Sequence, residues 1–325
     1  MATPEAPIIP DVVKGGYWLA STNDVLPLAN IDATLFTHLF VGYASVDSTT
    51  YKVTIDPSQD ILINEFSSTV KMRNQDVKTL LSIQGDSAVF AKIAKEPTNR
   101  DVFIKSSIKV ARDGKFDGLD LQWLYPSSPE EMKDFETLLN LWRKAVAKDA
   151  TNLSLPELLL VATVSNVPYL IHNIQYPVQA IKQKLSWFGI QSWIQALGKL
   201  PHKQIVFGIP FHGWAWKLAN SHQHQVFSKA EGVAQGDNIL PNGQIYYSNV
   251  IQFIDDNQAE VESSDKSFVI AYTYSGTTWI TYESEYTIAN KISLAKSIDA
   301  LGYFATNIAA DDAVNTLANA AKSNW

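Results

Sequence analysis

The chain has 325 residues, of which 46% are hydrophobic and 18% are charged, so it holds enough apolar material for a large core and too little charge for disorder. Its formal net charge is -7 and no block of like charges stands out, which argues against a nucleic acid or an anionic membrane as partner, because both select basic patches. The chain has no cysteine, which excludes a disulfide framework, thiolate catalysis and any cysteine-ligated metal.

Signals for a cellular compartment are weak. No stretch approaches the roughly 20 apolar residues that a membrane span needs. Residues 1–10 have neither the basic start nor the apolar run of a signal peptide. We therefore expect a cytoplasmic protein or, if a signal peptide has been removed, a secreted or vacuolar one. We also expect a monomer that uses no cofactor and no metal.

Short apolar runs alternate with amphipathic helical patterns, which is typical of repeated βα units around a parallel sheet. The predicted strands cover residues 13–19, 36–44, 78–83, 118–123, 158–164, 204–209 and 302–308. The clearest helical pattern covers 130–148, and others cover 88–95, 99–112, 177–185 and 191–200. Because α/β barrels routinely exceed 250 residues as one domain, a single barrel accounts for the length.

The alternation changes between Trp214 and Trp279. Strand-like runs at 243–247 and 267–274 flank a helical pattern at 249–257, with polar turns between them. We therefore expect one domain over residues 1–325, with a small α+β insertion over 214–280 after the seventh strand.

The most specific motif covers residues 116–126, which read Phe-Asp-Gly-Leu-Asp-Leu-Gln-Trp-Leu-Tyr-Pro. This run resembles the fourth-strand signature of glycoside hydrolase family 18 chitinases, an acidic pattern written DGxDxDxE and usually followed by Tyr-Pro. Similar runs follow the family's order at 16–18, 35–40, 214–216, 276–280, 302–304 and 310–312. The chain is identified as a member of this family, similar to plant class V chitinases, and the resemblance implies an α/β fold, a (β/α)8 TIM-type barrel.

The resemblance also implies that chitin hydrolysis has been lost. In the family the sugar's own N-acetyl oxygen is the nucleophile, a glutamic acid protonates the leaving oxygen, and an aspartate stabilises the cationic ring. The glutamate position is Leu124 and the aspartate position is Gln122, whereas Asp117 and Asp120 are kept as structural acids. A positioned general acid contributes roughly 100- to 10,000-fold to the reaction rate. With Leu124 and Gln122 at the two positions, no catalytic residue for chitin hydrolysis remains.

Two further departures affect sugar binding. The family's tryptophan at the end of strand eight is replaced by Thr306, which offers little area to a sugar face. The family's strand-six motif, which holds the N-acetyl group, is missing from residues 166–203. Between the predicted helices only 186–190 remain for strand six, so this strand is either shortened or lost.

The resemblance and the barrel geometry give a set of candidate binding residues. They are Tyr17, Phe40, Asp120, Gln122, Leu124, Tyr125, His212, Trp216, Trp279 and Thr306. Trp123 points away from Gln122 and Leu124, because side chains alternate along a strand, and we expect it in the core. His222 and His224 are two imidazoles in a polar stretch, too few for a metal site. Asp86 follows strand three, either as a carboxylate at the rim or as a structural residue.

Three functions are compatible with these residues. The first is a non-catalytic, lectin-like binder of N-acetylglucosamine oligosaccharides or related glycans. The second is a repurposed enzyme that acts on a small, more apolar metabolite, and a raised pKa of Asp120 would favour it. The third is a storage or inhibitor protein on the same scaffold. The expected partner is thus an oligosaccharide or a small molecule.

Overall fold

The computed structural model describes residues 6–124, 126–164, 169–170, 174–190, 201–263 and 269–325, with 169–170 and 174–175 described by their backbone. The chain divides into two compact units, Met1–Gly208 with Ile298–Phe304, and Ile209–Ser297 with Ala305–Trp325. Within the described ranges, no helix is both long and apolar enough to span a membrane.

The strands alternate with helices along most of the chain. The strands are β1 (Val13–Leu19), β2 (His38–Val46), β3 (Val53–Thr54), β4 (Lys78–Gln84), β5 (Gly118–Gln122), β6 (Leu159–Val164), β7 (Tyr169–Leu170), β8 (Ile174–Gln175), β9 (Trp187–Ile190), β10 (Ile205–Pro210), β11 (His212–Leu218), β12 (Ala230–Val233), β13 (Gln244–Tyr246), β14 (Glu260–Ser263), β15 (Ala271–Ser275), β16 (Thr278–Tyr282) and β17 (Gly302–Thr306). The helices are α1 (Asp60–Lys71), α2 (Ser87–Lys95), α3 (Pro97–Asp113), α4 (Pro129–Leu153), α5 (Val178–Lys184), α6 (Tyr247–Asn257), α7 (Glu285–Ser297) and α8 (Thr316–Asn324).

The first unit is built around a closed parallel barrel. Its strands follow the order β1, β17, β10, β9, β6, β5, β4 and β2, and β1 pairs with β2 to close the ring. Strands β5 and β6 are buried at every position, as expected for strands packed on both faces. The predicted (β/α)8 barrel is confirmed.

The sixth barrel strand is present but short. Strand β9 has only four residues, Trp187–Ile190, and pairs in parallel with β6 and β10. Strand six is therefore shortened and not lost. The predicted helix at 191–200 and Tyr125 lie outside the described residues.

The last strand approaches the first too closely for a side chain at Gly302. A Cβ atom there would lie 1.8 Å from the carbonyl oxygen of Val13, so only glycine allows this contact. Inside the barrel, ten of the described buried residues form one hydrophobic cluster. They are Val13, Tyr17, Phe40, Leu80, Leu159, Val161, Trp187, Val206, Leu301 and Phe304.

The second unit contains an antiparallel sheet in the order β12, β11, β16, β15 and β14, with β13 paired to β11. One face of this sheet is buried, and it includes Ala215, Ile280 and Thr273, each 0% exposed. Helix α6 lies against β11, β15 and β16. The domain boundaries at 214–280 stay a prediction.

Candidate functional site

Asp120, in the middle of β5, is the centre of a hydrogen-bond network within the barrel. Its Oδ2 accepts from Tyr17 Oη at 2.8 Å, Ser82 Oγ at 2.8 Å and Gln122 Nε2 at 3.2 Å, and its Oδ1 accepts from Thr163 Oγ1 at 3.1 Å. Asp120 is 0% exposed, so bulk solvent does not reach its carboxyl group. The network connects β1, β4, β5 and β6.

Burial sets the electrostatics of this network. It raises the pKa of Asp120, whereas the hydrogen bonds from Tyr17, Ser82, Gln122 and Thr163 lower it. Burial also raises the pKa of Tyr17 well above its ordinary value, and the charge of Asp120 adds to that rise. Tyr43 lies near the same carboxylate, and burial raises its pKa to about 12.

Ser82, Thr163 and Tyr43 were missed by the sequence analysis. Ser82 is paired directly with Asp120 in the register of β4 and β5. The available signal was a single hydroxyl residue inside a short run that is otherwise apolar, in Leu80-Leu81-Ser82-Ile83 and in Val161-Ala162-Thr163-Val164. A buried hydroxyl group in such a run needs a partner, which here is Asp120.

The two departures from the acidic motif lie on the same strand or directly after it. Gln122 is 5% exposed and donates to Asp120. The side chain of Leu124 is half-buried, and its carbonyl oxygen accepts from Tyr176 Oη at 2.9 Å. Neither side chain can give a proton to a leaving group.

Asp117 serves a different part of the barrel. Its Oδ2 accepts from Lys71 Nζ at 2.7 Å, from the Thr79 backbone N–H at 2.8 Å and from Thr79 Oγ1 at 3.2 Å. Asp117 therefore connects α1, β4 and the start of β5. Both carboxylates of the motif, Asp117 and Asp120, thus accept hydrogen bonds from the protein itself.

The aromatic candidates of the barrel are buried. Tyr17 and Phe40 are 3% and 1% exposed, and their rings stack with centroids 4.2 Å apart. Neither ring therefore offers an open face to a sugar. Trp123 is 2% exposed and lies against Phe90 and Phe135, in the core.

The remaining described candidates belong to the second unit. Trp216 is 37% exposed, and its partner across the ladder of β11 and β16 is Trp279, which is half-buried. Directly opposite residues in such a ladder point to the same face, so this face carries both indoles. Trp279 stacks on Tyr272 at 5.1 Å.

His212 and Thr306 also lie in this unit, both partly exposed. Burial lowers the pKa of His212, and a hydrogen bond to the backbone of Thr306 opposes that shift. The imidazole is therefore neutral at pH 7 and offers one donor and one acceptor.

Two other residues have structural contacts. Asp86 is the N-cap of α2, where its Oδ1 accepts from the Ala88 backbone N–H at 2.7 Å. The ring of His224 stacks on Tyr274 with centroids 3.8 Å apart. Across the described ranges, no group of three or more His, Cys, Asp or Glu side chains could hold a metal ion.

Comparison with known proteins gives consistent matches along the whole chain. The model of the Glycosyl hydrolases family 18 matches residues 14–193 and 188–311. A class V chitinase from Arabidopsis thaliana is 38% identical over 353 aligned positions, which cover 97% of this chain and 90% of the relative.

Two solved plant structures are similar in fold. The class V chitinase from Nicotiana tobaccum has a TM-score of 0.89 at 33% identity, covering 97% of this chain and 99% of that chain. A mutant of that chitinase has been solved in complex with NAG4. The chitinase-like agglutinin RobpsCRA from Robinia pseudoacacia has a TM-score of 0.85 at 32% identity, covering 96% of this chain and 99% of that chain.

Proposed function

The chain belongs to glycoside hydrolase family 18, and we propose that it is a catalytically inactive, lectin-like protein that binds N-acetylglucosamine oligosaccharides or related glycans. The observation that carries the proposal is the pair of residues at the two catalytic positions after Asp120. Gln122 donates its amide to Asp120, and Leu124 has no ionisable group. Proton donation to a glycosidic oxygen therefore has no source at these positions.

The surviving carboxylate supports inactivity. Asp120 is 0% exposed and accepts four hydrogen bonds from protein side chains. A general acid must come within hydrogen-bond reach of the proton acceptor on the substrate. Asp120 could reach a sugar only by breaking these contacts, so it stabilises the barrel interior.

Binding is supported by the relatives and by the aromatic residues. The tobacco chitinase mutant was solved with NAG4, and the Robinia relative is an agglutinin, on a scaffold that matches nearly all of this chain. Exposed tryptophan faces such as that of Trp216 suit the apolar face of a sugar ring. Within the second unit we assign sugar contacts to Trp216, Trp279, His212 and Thr306, and Leu124 and Tyr125 stay binding candidates of the first unit.

A repurposed enzyme is the second candidate, because burial raises the pKa of Asp120 and a proton-transfer group needs such a shift. It ranks below the lectin, because the carboxyl group is enclosed by four donors and is inaccessible to a metabolite. The storage or inhibitor alternative has no residue in its favour.

Calorimetric titration with chitotetraose and chitohexaose, with product analysis of the same samples, tests the proposal. We expect micromolar binding, about 8 kcal/mol, and intact oligosaccharides. Trp216→Ala should weaken binding, whereas Leu141→Ala, a similarly exposed apolar residue on α4, should not. Cleaved products would refute inactivity, and absence of heat would refute the lectin and favour the metabolite enzyme.

A further inference from the structure

A small pocket in the second unit is bounded by aromatic rings. Its volume is about 190 Å³. Its lining residues are Trp216, Leu218, Gln225, Phe227, Ser228, Ala230 and Trp279. Sites for drug-sized ligands occupy roughly 300–1,000 Å³, so this pocket has room for one ring and not for an oligomer.

The antiparallel sheet and one returning segment build this pocket. Strands β11 and β16 place Trp216 opposite Trp279. Residues 219–229 return across this face to β12 and are held at His224. The carbonyl oxygen of His224 accepts from Trp279 Nε1 at 3.0 Å, and its ring stacks on Tyr274. The wall contributed by this segment is therefore fixed by the sheet.

Phe227 makes this wall of the pocket apolar. It is 83% exposed, and its φ of 72° lies in the left-handed region that bulky residues rarely adopt. Strained backbone of this kind clusters at ligand-binding positions. An exposed phenyl ring beside the exposed indole of Trp216 forms an apolar contact surface of the kind that marks interaction sites.

The polar groups of the pocket are uncharged. Gln225 provides an amide and Ser228 a hydroxyl group, which donate and accept hydrogen bonds, and none of the seven described lining residues is ionisable. Neighbouring Lys217 is paired with Glu231, with Nζ and Oε2 2.9 Å apart. The chemistry of the lining thus favours a neutral ligand with one apolar face and several hydroxyl groups.

We propose that this cavity, the Phe227 pocket, is a carbohydrate subsite for a single neutral pyranose ring whose substituents are equatorial, such as a terminal N-acetylglucosamine. Such a ring presents axial C–H groups to Trp216 and Phe227, while its hydroxyl groups reach Gln225 and Ser228. The inference deepens the proposed glycan binding and rests on it for the ligand class, but the pocket uses residues of the second unit alone.

The test uses the full chain and the methyl β-glycoside of N-acetylglucosamine, with saturation-transfer NMR and tryptophan fluorescence as readouts. Phe227→Ala should weaken monosaccharide binding about tenfold, equivalent to about 1.4 kcal/mol. Phe227→Trp, which keeps an aromatic face, should retain it. Tyr286→Ala removes an aromatic residue that is 54% exposed on α7 and serves as the matched control.

The outcomes separate this subsite from the proposed function. Wild-type protein that binds chitohexaose but not the monosaccharide overturns the Phe227 pocket and leaves the lectin intact. Monosaccharide binding that depends on Phe227, with chitohexaose bound no more tightly than the monosaccharide, supports the pocket and refutes the oligosaccharide lectin. Equal monosaccharide affinity of wild type and Phe227→Ala also overturns the pocket, provided that thermal melts show both proteins folded.

Discussion

Replacing Gln122 by aspartate would place a second carboxylate beside Asp120. Gln122 Nε2 now donates to Asp120 Oδ2 at 3.2 Å, and the two side chains are 5% and 0% exposed. Gln122→Asp converts this donor into an acceptor with a negative charge. We expect the variant to be less stable than wild type, and more so at high pH.

The magnitude follows from the separation of the two groups. Two unit charges 4 Å apart repel by about 4 kcal/mol at an effective dielectric constant of 20. The pair escapes part of this cost by sharing a proton, as neighbouring carboxylates do. The folded protein then binds a proton that the unfolded chain releases, so its stability falls as pH rises above the unfolded pKa of about 4. We expect a loss of about 4 kcal/mol at pH 8 and a smaller loss at pH 5.

Urea unfolding of wild type, Gln122→Asp and Gln122→Asn at pH 5 and pH 8 measures this difference. The asparagine variant is equally short but keeps the amide, so it separates charge from size. Wild type and Gln122→Asn share the raised pKa of Asp120, so the pH dependence that only Gln122→Asp adds belongs to the coupled pair of carboxylates. If both variants lose the same free energy of unfolding at both pH values, repulsion between the two carboxylates does not destabilise Gln122→Asp, and the reasoning is refuted.

Three further changes test the packing and electrostatics of the fold. In urea titrations, Gly302→Ala should lower the free energy of unfolding by more than about 4 kcal/mol or prevent folding, because its Cβ would lie 1.8 Å from Val13 O. The control Gly276→Ala meets no atom within 4 Å, so it should lower this free energy only by the roughly 1–3 kcal/mol that a positive φ costs. His38→Gln should remove a pH-dependent contribution, because burial lowers the pKa of His38 to about 4 and wild type therefore loses about 3 kcal/mol as pH falls from 6.5 to 4. Thermal melts of wild type and His38→Gln over this pH range measure the effect, and the difference between their melting temperatures removes the contribution of Asp311, which both proteins share. Burial raises the pKa of Asp311 to about 6, so its contribution to stability is lost as pH rises from 4 to 6. Parallel plots of melting temperature against pH would refute the assignment to His38. Trp279→Ala removes the indole that donates to His224, so limited proteolysis should cut residues 219–229 faster than in wild type, and an unchanged cleavage rate would contradict that anchoring.

The barrel could be predicted closely because its strands are buried on both faces and therefore appear as continuous apolar runs. The third predicted strand, 78–83, is observed as Lys78–Gln84, and the first matches Val13–Leu19. The last was predicted two residues too long, because residues 308–310 form a 3₁₀ turn after Thr306. Strand six could be located only by elimination, since its presence depends on pairing with β6 and β10, which no local pattern records.

The candidate site was harder to predict because its hydrogen bonds join distant parts of the chain. Asp120 and Gln122 followed from one motif, but Ser82 and Thr163 join them only through the register of neighbouring strands. Tyr17 was predicted as a binding residue, but its ring is buried in the core and its hydroxyl group donates to Asp120. The sequence identified which residues had changed and predicted Asp117 and Asp120 as structural acids, but it did not reveal that the rings of Tyr17 and Phe40 are buried.

The network around Asp120 also explains how this barrel can carry leucine at position 124 and keep its fold. Removing Asp120 would take the shared acceptor from Tyr17, Ser82 and Thr163, at roughly 1–3 kcal/mol for each buried group left unsatisfied, and only the 3.2 Å hydrogen bond between Tyr17 and Thr163 would remain among them. Leu124 follows the end of β5, and its connection to Tyr176 is made by its backbone carbonyl, which any residue supplies. The residue at position 124 can therefore change without disturbing the barrel interior. Asp120, which is buried and lies four residues earlier, cannot. The residues that stabilise the barrel interior are thus separate from position 124, which follows the strand.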